Sequence, residues 1–307
     1  MAAISTALLA HLPRGSHVIA GEQIFAQTDE VLRWLQAGHG VEVTFVDTRD
    51  LEAVASALRA NTRLIYLETP SNPTLRVTDI AAVCTLARKR GVMVFVDSTF
   101  ATPMGQRPLN LGASLVLHSA TKLLGGHMDV MGGVAAGATE VLKPICEMKR
   151  LLGGVLDPQA SWLLLRGIKT LAVRSERVFA SALALAELLQ RSPVVGSLNY
   201  PLLPTHPDFE VASRQMSGGG GVVSFSLKGG PTAARRLLNS LRLIQIASSL
   251  GGVETLIEMP YDLDWYGKDD LPLKTVDPGL VRLSVGLEDI DDLTADLSQA
   301  LRTAELQ

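Results

Sequence analysis

Three short apolar runs constrain this chain more than any other feature. They are RLIYLE, VMVFVD and SLVLHS, and they end at Glu68, Asp97 and Ser119. A run that is apolar along its whole length, without alternation, reads as a strand buried on both faces. Residues 78–89, between the first two, have helical spacing. The same alternation precedes them: a helix over residues 4–12, the strand HVIAG, a helix over 29–37, the strand VEVTFVD and a helix over 50–60. Strands and helices in turn predict an α/β fold with a mostly parallel sheet covered by helices. Ligands of such sheets lie beyond the carboxyl ends of the strands. Here those ends continue as TPSNPT, STFATP and ATK, so one sheet edge collects two acids, hydroxyls and Lys122.

The pattern changes near Pro158. Residues 158–192 are apolar at helical spacing, as two helices or one bent one. GGVVSFSLKGG and VRLSVG read as strands, and residues 233–241 and 291–301 as helices. This predicts a large domain over 1–172 and a smaller α+β domain over 173–307. The run Ser217-Gly218-Gly219-Gly220-Gly221 reads as a loop and not a phosphate cradle, because no helix follows it. The balance of 28 Lys and Arg against 31 Asp and Glu shows no basic stripe for nucleic acid. No apolar run is long enough to span a membrane. Cys84 and Cys146 fall in helical stretches and read as buried or half-buried thiols of a reducing, cytoplasmic setting.

The chemistry centres on Lys122, in HSATKLLGGH. A lysine amine attacks aldehydes once deprotonated, and a dry or cationic setting lowers its pKa. Ser119 and Thr121 flank it, and hydroxyls with free N–H groups at such a turn can hold a phosphate. Pyridoxal phosphate (PLP) is an aldehyde that carries a phosphate and also needs a carboxylate at its ring nitrogen, a place open to Asp97. Taken singly, Lys122 is equally a surface lysine at a helix start, Asp97 a cap and the two hydroxyls local caps.

The stretches MAAISTALL, YLETPSNPT, VFVDSTFATP, LGASLVLHSATKLLGGH, LLRGIKTLAVR, SLGGVETLIE and VRLSVGLEDIDDLTADL together resemble the PLP-dependent enzymes of Cys/Met metabolism, the cystathionine γ-synthase-like group. The resemblance covers nearly the whole sequence. It implies a fold-type I PLP enzyme of trans-sulfuration and amino-acid biosynthesis, acting as a lyase or transferase on a sulfur-containing or O-acylated amino acid. Cystathionine γ-lyase or γ-synthase-like chemistry leads, with O-acetylhomoserine sulfhydrylase or methionine γ-lyase-like activity as alternatives. It also implies a cytoplasmic homotetramer, a dimer of dimers. By resemblance Lys122 bonds the cofactor and carries the substrate α-proton, and Asp97 faces the ring nitrogen. Ser119, Thr121 and the Met1 backbone hold phosphate. Phe25 stacks on the ring, Asn72 lies near the ring oxygen and substrate carboxylate, and Arg282 clamps that carboxylate. Ser249 orients lysine and substrate.

The chain departs from the family pattern in several places. It starts at the methionine of a family SSGMAAI stretch, so segments that carry phosphate ligands in relatives are expected to be missing, with weakened cofactor affinity or a non-catalytic chain as the consequence. Phe25 stands where the family has tyrosine. It keeps the stacking surface but lacks a hydroxyl able to protonate a leaving group. Ser248 stands where cystathionine-handling members often have glutamate. MPYDLDWYGKDDL replaces a usual Thr-His pair, and Met128 a usual serine.

Overall fold

The computed structural model describes residues 1–262 and 276–305. The first six strands are β1 (His17–Gly21), β2 (Glu42–Val46), β3 (Thr62–Glu68), β4 (Met93–Asp97), β5 (Leu115–Ser119) and β6 (Gly133–Gly137). They form one sheet in the order β2-β1-β3-β4-β5-β6. Every pairing is parallel except β5 with β6, which is antiparallel. The unbroken apolar runs have the expected cause. Alternate residues enter two separate cores: Val18, Leu64, Tyr66 and Phe95 pack on one face, and Ile19, Ile65, Leu67, Val94 and Val96 on the other. The first core is closed by the helices Ala2–His11 and Ala26–His39, the second by Leu51–Ala57 and Ile80–Arg88.

That alternation fixes which strand-end side chains meet. Residues two apart on a strand share a face, so Glu68 follows Tyr66 and Asp97 follows Phe95 onto the same face. Glu68 and Asp97 are also register partners across β3 and β4, and Ser119 follows Leu117 on β5.

The remaining strands are β7 (Val195–Asn199), β8 (Val222–Leu227), β9 (Gln245–Ile246), β10 (Leu256–Glu258) and β11 (Leu280–Ser284). They make a second sheet in the order β7-β8-β11-β10-β9. Its core joins Phe225, Ile257, Val281 and Leu283 to the helices Leu171–Arg191, Gly230–Ser240 and Ile290–Glu305. The stretch over 158–192 is two helices, Pro158–Ile168 and Leu171–Arg191. The glycine run leads into a strand, β8, and packs closely: a side chain at Gly219 would strike the Tyr200 ring. Several elements carry no clear sequence pattern, among them β6, β7, the helix Thr139–Leu152 and the helix Phe209–Gln215.

After β5 the chain makes one turn of π-helix, Ala120–Leu124, broken at Lys122 (φ −94°, ψ −134°). Helix Leu171–Arg191 holds this turn through the buried Arg174. Its guanidinium donates to the carbonyls of Leu123 (2.8 Å) and Gly167 (2.7 Å). Gly167 lies so close that an added Cβ would fall on the Gly125 carbonyl. Gly167→Ala is therefore expected to lower stability by about 1–3 kcal/mol, as overpacking does, measured by denaturant midpoint. A substitution without effect would mean that the turn gives way freely.

Candidate active site

All nine residues singled out above line one cavity of about 420 Å³ at the carboxyl ends of β3, β4 and β5: Met1, Phe25, Asn72, Asp97, Ser119, Thr121, Lys122, Ser249 and Arg282. The large sheet supplies the acids and the lysine turn. The small sheet supplies Arg282 on β11 and the loop carrying Ser249.

The lysine and the arginine meet through one serine. Lys122 Nζ donates to Ser249 Oγ at 2.9 Å, and Arg282 Nη2 donates to the Ser249 carbonyl at 2.9 Å. Ser249 sits at φ 93°, in the left-handed region that non-glycine residues rarely adopt. Gly251, two residues on, has φ 79°, and a Cβ there would strike the Leu123 nitrogen. Only a glycine lets this loop press against the lysine turn. Burial lowers the Lys122 pKa, the Arg282 charge lowers it further, and Glu258 opposes both. The amine is thus eased toward its nucleophilic form.

Asp97 is buried, and its Oδ1 accepts from the Thr99 N–H (3.0 Å) and hydroxyl (2.5 Å). Burial raises its pKa against those hydrogen bonds. Glu68 beside it accepts from the Phe25 N–H (2.7 Å) and the Asn72 N–H (3.1 Å). Burial first, and the Asp97 charge second, raise Glu68 as well. Glu68 also ties the start of helix Ala26–His39 to the loop holding Asn72.

Arg282 lies on the central strand of its sheet, not at an edge. It donates from Nη1 to Asn72 Oδ1 at 3.0 Å and forms an ion pair with Glu258 at 2.7 Å. The Thr121 hydroxyl is engaged with the Gly132 backbone, accepting from its N–H at 3.0 Å. The Ser119 N–H donates to the Thr99 hydroxyl at 2.8 Å. Met1 caps the first helix at the cavity rim, and the half-exposed Phe25 sits at the start of the second. Ser248 also lines the cavity. The segment beginning at Met259 lies outside the described residues from position 263 onward.

Comparison with known proteins gives this constellation a family. The Cys/Met metabolism PLP-dependent enzyme model matches residues 1–302. The chain belongs to that family. It is a fold-type I PLP enzyme of sulfur amino-acid metabolism. L-methionine gamma-lyase of Fusobacterium nucleatum subsp. nucleatum is 43% identical over 98% of this chain and 78% of its own length. Cystathionine gamma-lyase of Bacillus subtilis is 44% identical over 98% of this chain and 80% of its own. Among solved structures, metB from Corynebacterium glutamicum superposes with a TM-score of 0.94 at 41% identity, covering 98% of this chain and 78% of that one.

The residues present fit PLP. The amine has a lowered pKa, and Ser119 and Thr121 line the same cavity beside it. The buried Asp97, held above its usual range, is an acid that a pyridinium cation would return to its charged form.

Four groups that shape this site lie within the family-like stretches, yet the sequence assigned none of them a role: Glu68, Glu258, Arg174 and His118. Glu68 was visible only as an acid at a strand end. Glu258 becomes meaningful only through its register with Arg282. His118 lines the cavity, and burial pushes its pKa down to about 4. A histidine depressed in the fold adds stability above its unfolded pKa of about 6.5. That stability is lost as pH falls toward about 4. Thermal melts should therefore show wild type losing more stability than His118→Phe across that interval. Parallel curves would remove His118 from the acid response.

Proposed function

We propose that this chain catalyses elimination at the β or γ carbon of a sulfur-containing amino acid, with replacement by a thiol as the second reading. The observation that carries the proposal is the junction at Ser249, where an amine of lowered pKa and a buried guanidinium meet in a cavity walled by Asp97. PLP, when bound, supplies a reactive aldehyde and an electron sink for the carbon losing its proton. Lys122 is the base that takes the α-proton, and Ser249 aims it. Asp97 keeps positive charge at the ring nitrogen. Ser119, Thr121 and the Met1 end of the first helix would hold its phosphate, and Phe25 would offer a stacking surface to its ring. Arg282 takes the substrate carboxylate through its planar fork, with Asn72 setting its angle.

Elimination and replacement use the same residues. The assay that separates them follows the loaded enzyme with methionine or cystathionine alone, and with O-acetylhomoserine plus sulfide. Keto acid released without added thiol supports elimination. A new C–S bond formed only with sulfide supports replacement. Neither product from a fully loaded enzyme would leave the non-catalytic reading.

A homo-oligomer, and in this reading a homotetramer, accounts for exposed apolar side chains along residues 151–173. Leu151 is 81% exposed, Val155 64%, Trp162 61%, Leu165 63% and Val173 72%. Exposed apolar side chains that gather into a patch mark interfaces. Cys84 is a buried free thiol, as expected, whereas Cys146 is an exposed one and not buried or half-buried; free thiols are in keeping with a reducing cytoplasm. Among the described residues no helix is long and apolar enough to cross a membrane. The two sheets support a boundary between domains at the start of helix Leu171–Arg191, near the expected 172/173 junction.

A further inference from the structure

The partner of Arg282 raises a problem of charge. Glu258 and Arg282 are register partners on β10 and β11. Their ion pair is 2.7 Å long, with side-chain exposures of 5% and 7%. The two terminal nitrogens of Arg282 already serve Asn72 Oδ1, the Ser249 carbonyl and Glu258 Oε1. The other Glu258 oxygen, Oε2, is buried and accepts no hydrogen bond. Both side chains line the cavity. A substrate carboxylate arriving at Arg282 would set two carboxylates against one guanidinium in a poorly solvated place. Like charges so placed exclude each other's ionised forms. Among the described residues the charged groups acting on Glu258 are Arg282 from β11 and Lys122 from the lysine turn; Asn72 and Ser249, which also bond Arg282, are neutral.

We infer that Glu258 takes up a proton when the substrate carboxylate binds, and becomes a hydrogen-bond donor to it beside Arg282. The inference rests on the reading of Arg282 as the carboxylate clamp. The balance is simple. One proton comes from solvent and bonds to Glu258 Oε2, the Glu258–Arg282 ion pair is exchanged for one between Arg282 and the substrate, and no other bond changes. An O–H donated to a carboxylate is among the stronger hydrogen bonds. Burial already raises Glu258, against the opposing charges of Arg282 and Lys122. Glu258 is thus a positioning and specificity residue: it makes carboxylate affinity depend on pH, and it disfavours ligands whose carboxylate is missing.

The test uses the PLP-loaded enzyme and 3-(methylthio)propanoate, a carboxylate without an amino group to react with the cofactor. Calorimetry in two buffers of different ionisation enthalpy counts the protons bound with the probe. The dissociation constant is followed across about pH 6 to 9. Binding coupled to one proton raises the constant by up to ~10-fold per pH unit above the pKa of free Glu258. Glu258→Gln should lose that increment and bind the probe more tightly than wild type at the alkaline end. Proton uptake by other groups stays in both proteins and cancels. Infrared difference spectra of wild type alone should show a protonated-carboxyl band appearing with the probe, which keeps the test decisive if Glu258→Gln folds poorly. Equal proton counts in the two proteins, or no such band, would overturn the inference. The Arg282→Leu/Glu258→Leu double variant checks the clamp separately. If it binds the probe as tightly as wild type, the clamp reading fails and the inference falls with it. If it loses the probe while wild type takes up no proton, only the inference fails.

Discussion

Lys122→Ala is expected to abolish the visible absorbance of lysine-bound cofactor and to slow turnover by at least about 10²–10⁴-fold, the usual contribution of a positioned acid–base group. The actual loss should be larger, because the same amine is also the covalent anchor. The structural reasons are specific. Lys122 is the one lysine lining the described cavity. Its Nζ is held at 2.9 Å by Ser249 Oγ, and its pKa is lowered first by burial and then by Arg282. Alanine removes the amine without disturbing the clasp of Arg174 on the Leu123 carbonyl. The turn should therefore survive and the variant should fold. Absorbance spectra of wild type and variant with added PLP, followed by single-turnover assays, give the answer. A variant that keeps the visible band would show that another amine carries the cofactor.

Arg282→Leu should be among the most destabilising substitutions in the chain, at about 3–5 kcal/mol, because it strands a buried charge. Glu258 would lose its 2.7 Å partner while remaining sealed. Asn72 Oδ1 and the Ser249 carbonyl would lose donors too, each a further cost of about 1–3 kcal/mol if left unpaired. The deficit should depend on pH with a definite sign. Burial raises Glu258 in the fold, and without Arg282 it would be raised further. A carboxyl raised above its unfolded value stabilises most below that value and loses the contribution as pH rises. The variant should thus approach wild type in acid, below the unfolded carboxyl value, and fall away as pH rises past it. The double variant Arg282→Leu/Glu258→Leu should recover most of the loss but not the part owed to Asn72 and Ser249. Urea unfolding of the three proteins at two pH values decides it. A single variant as stable as the double would show that Glu258 does not depend on Arg282.

Much of this was legible in one dimension. The runs ending at Glu68, Asp97 and Ser119 are buried strands because both faces of the sheet are covered, and strands of that kind need unbroken apolar sequence. Lys122, Asp97, Ser119 and Thr121 were legible because strand ends and the residues just after them lie together whatever the helices do. The lysine turn and the loops after β3 and β4 also carry local motifs. β6 and β7 were not legible: GVAAG and VGSLN are short and carry Gly, Ala, Ser and Asn, so their pairing comes from neighbouring strands and not from propensity.

The sequence by itself pointed to the family through the resemblance of its motif stretches, and it determined the parallel sheet and the chemistry gathered at its edge because hydrophobic period and strand-end residues are local properties. Only the tertiary structure decided that Glu258 faces Arg282, that Arg174 grips the lysine turn, and that Ser249 joins the amine to the guanidinium. Those contacts join β10 to β11, one helix to the turn after β5, and the small sheet to the large one. Their partners are separated by 24, by about 50 and by 127 residues along the chain. No local pattern encodes such pairings, because they exist only once two sheets have closed on one cavity and removed its water.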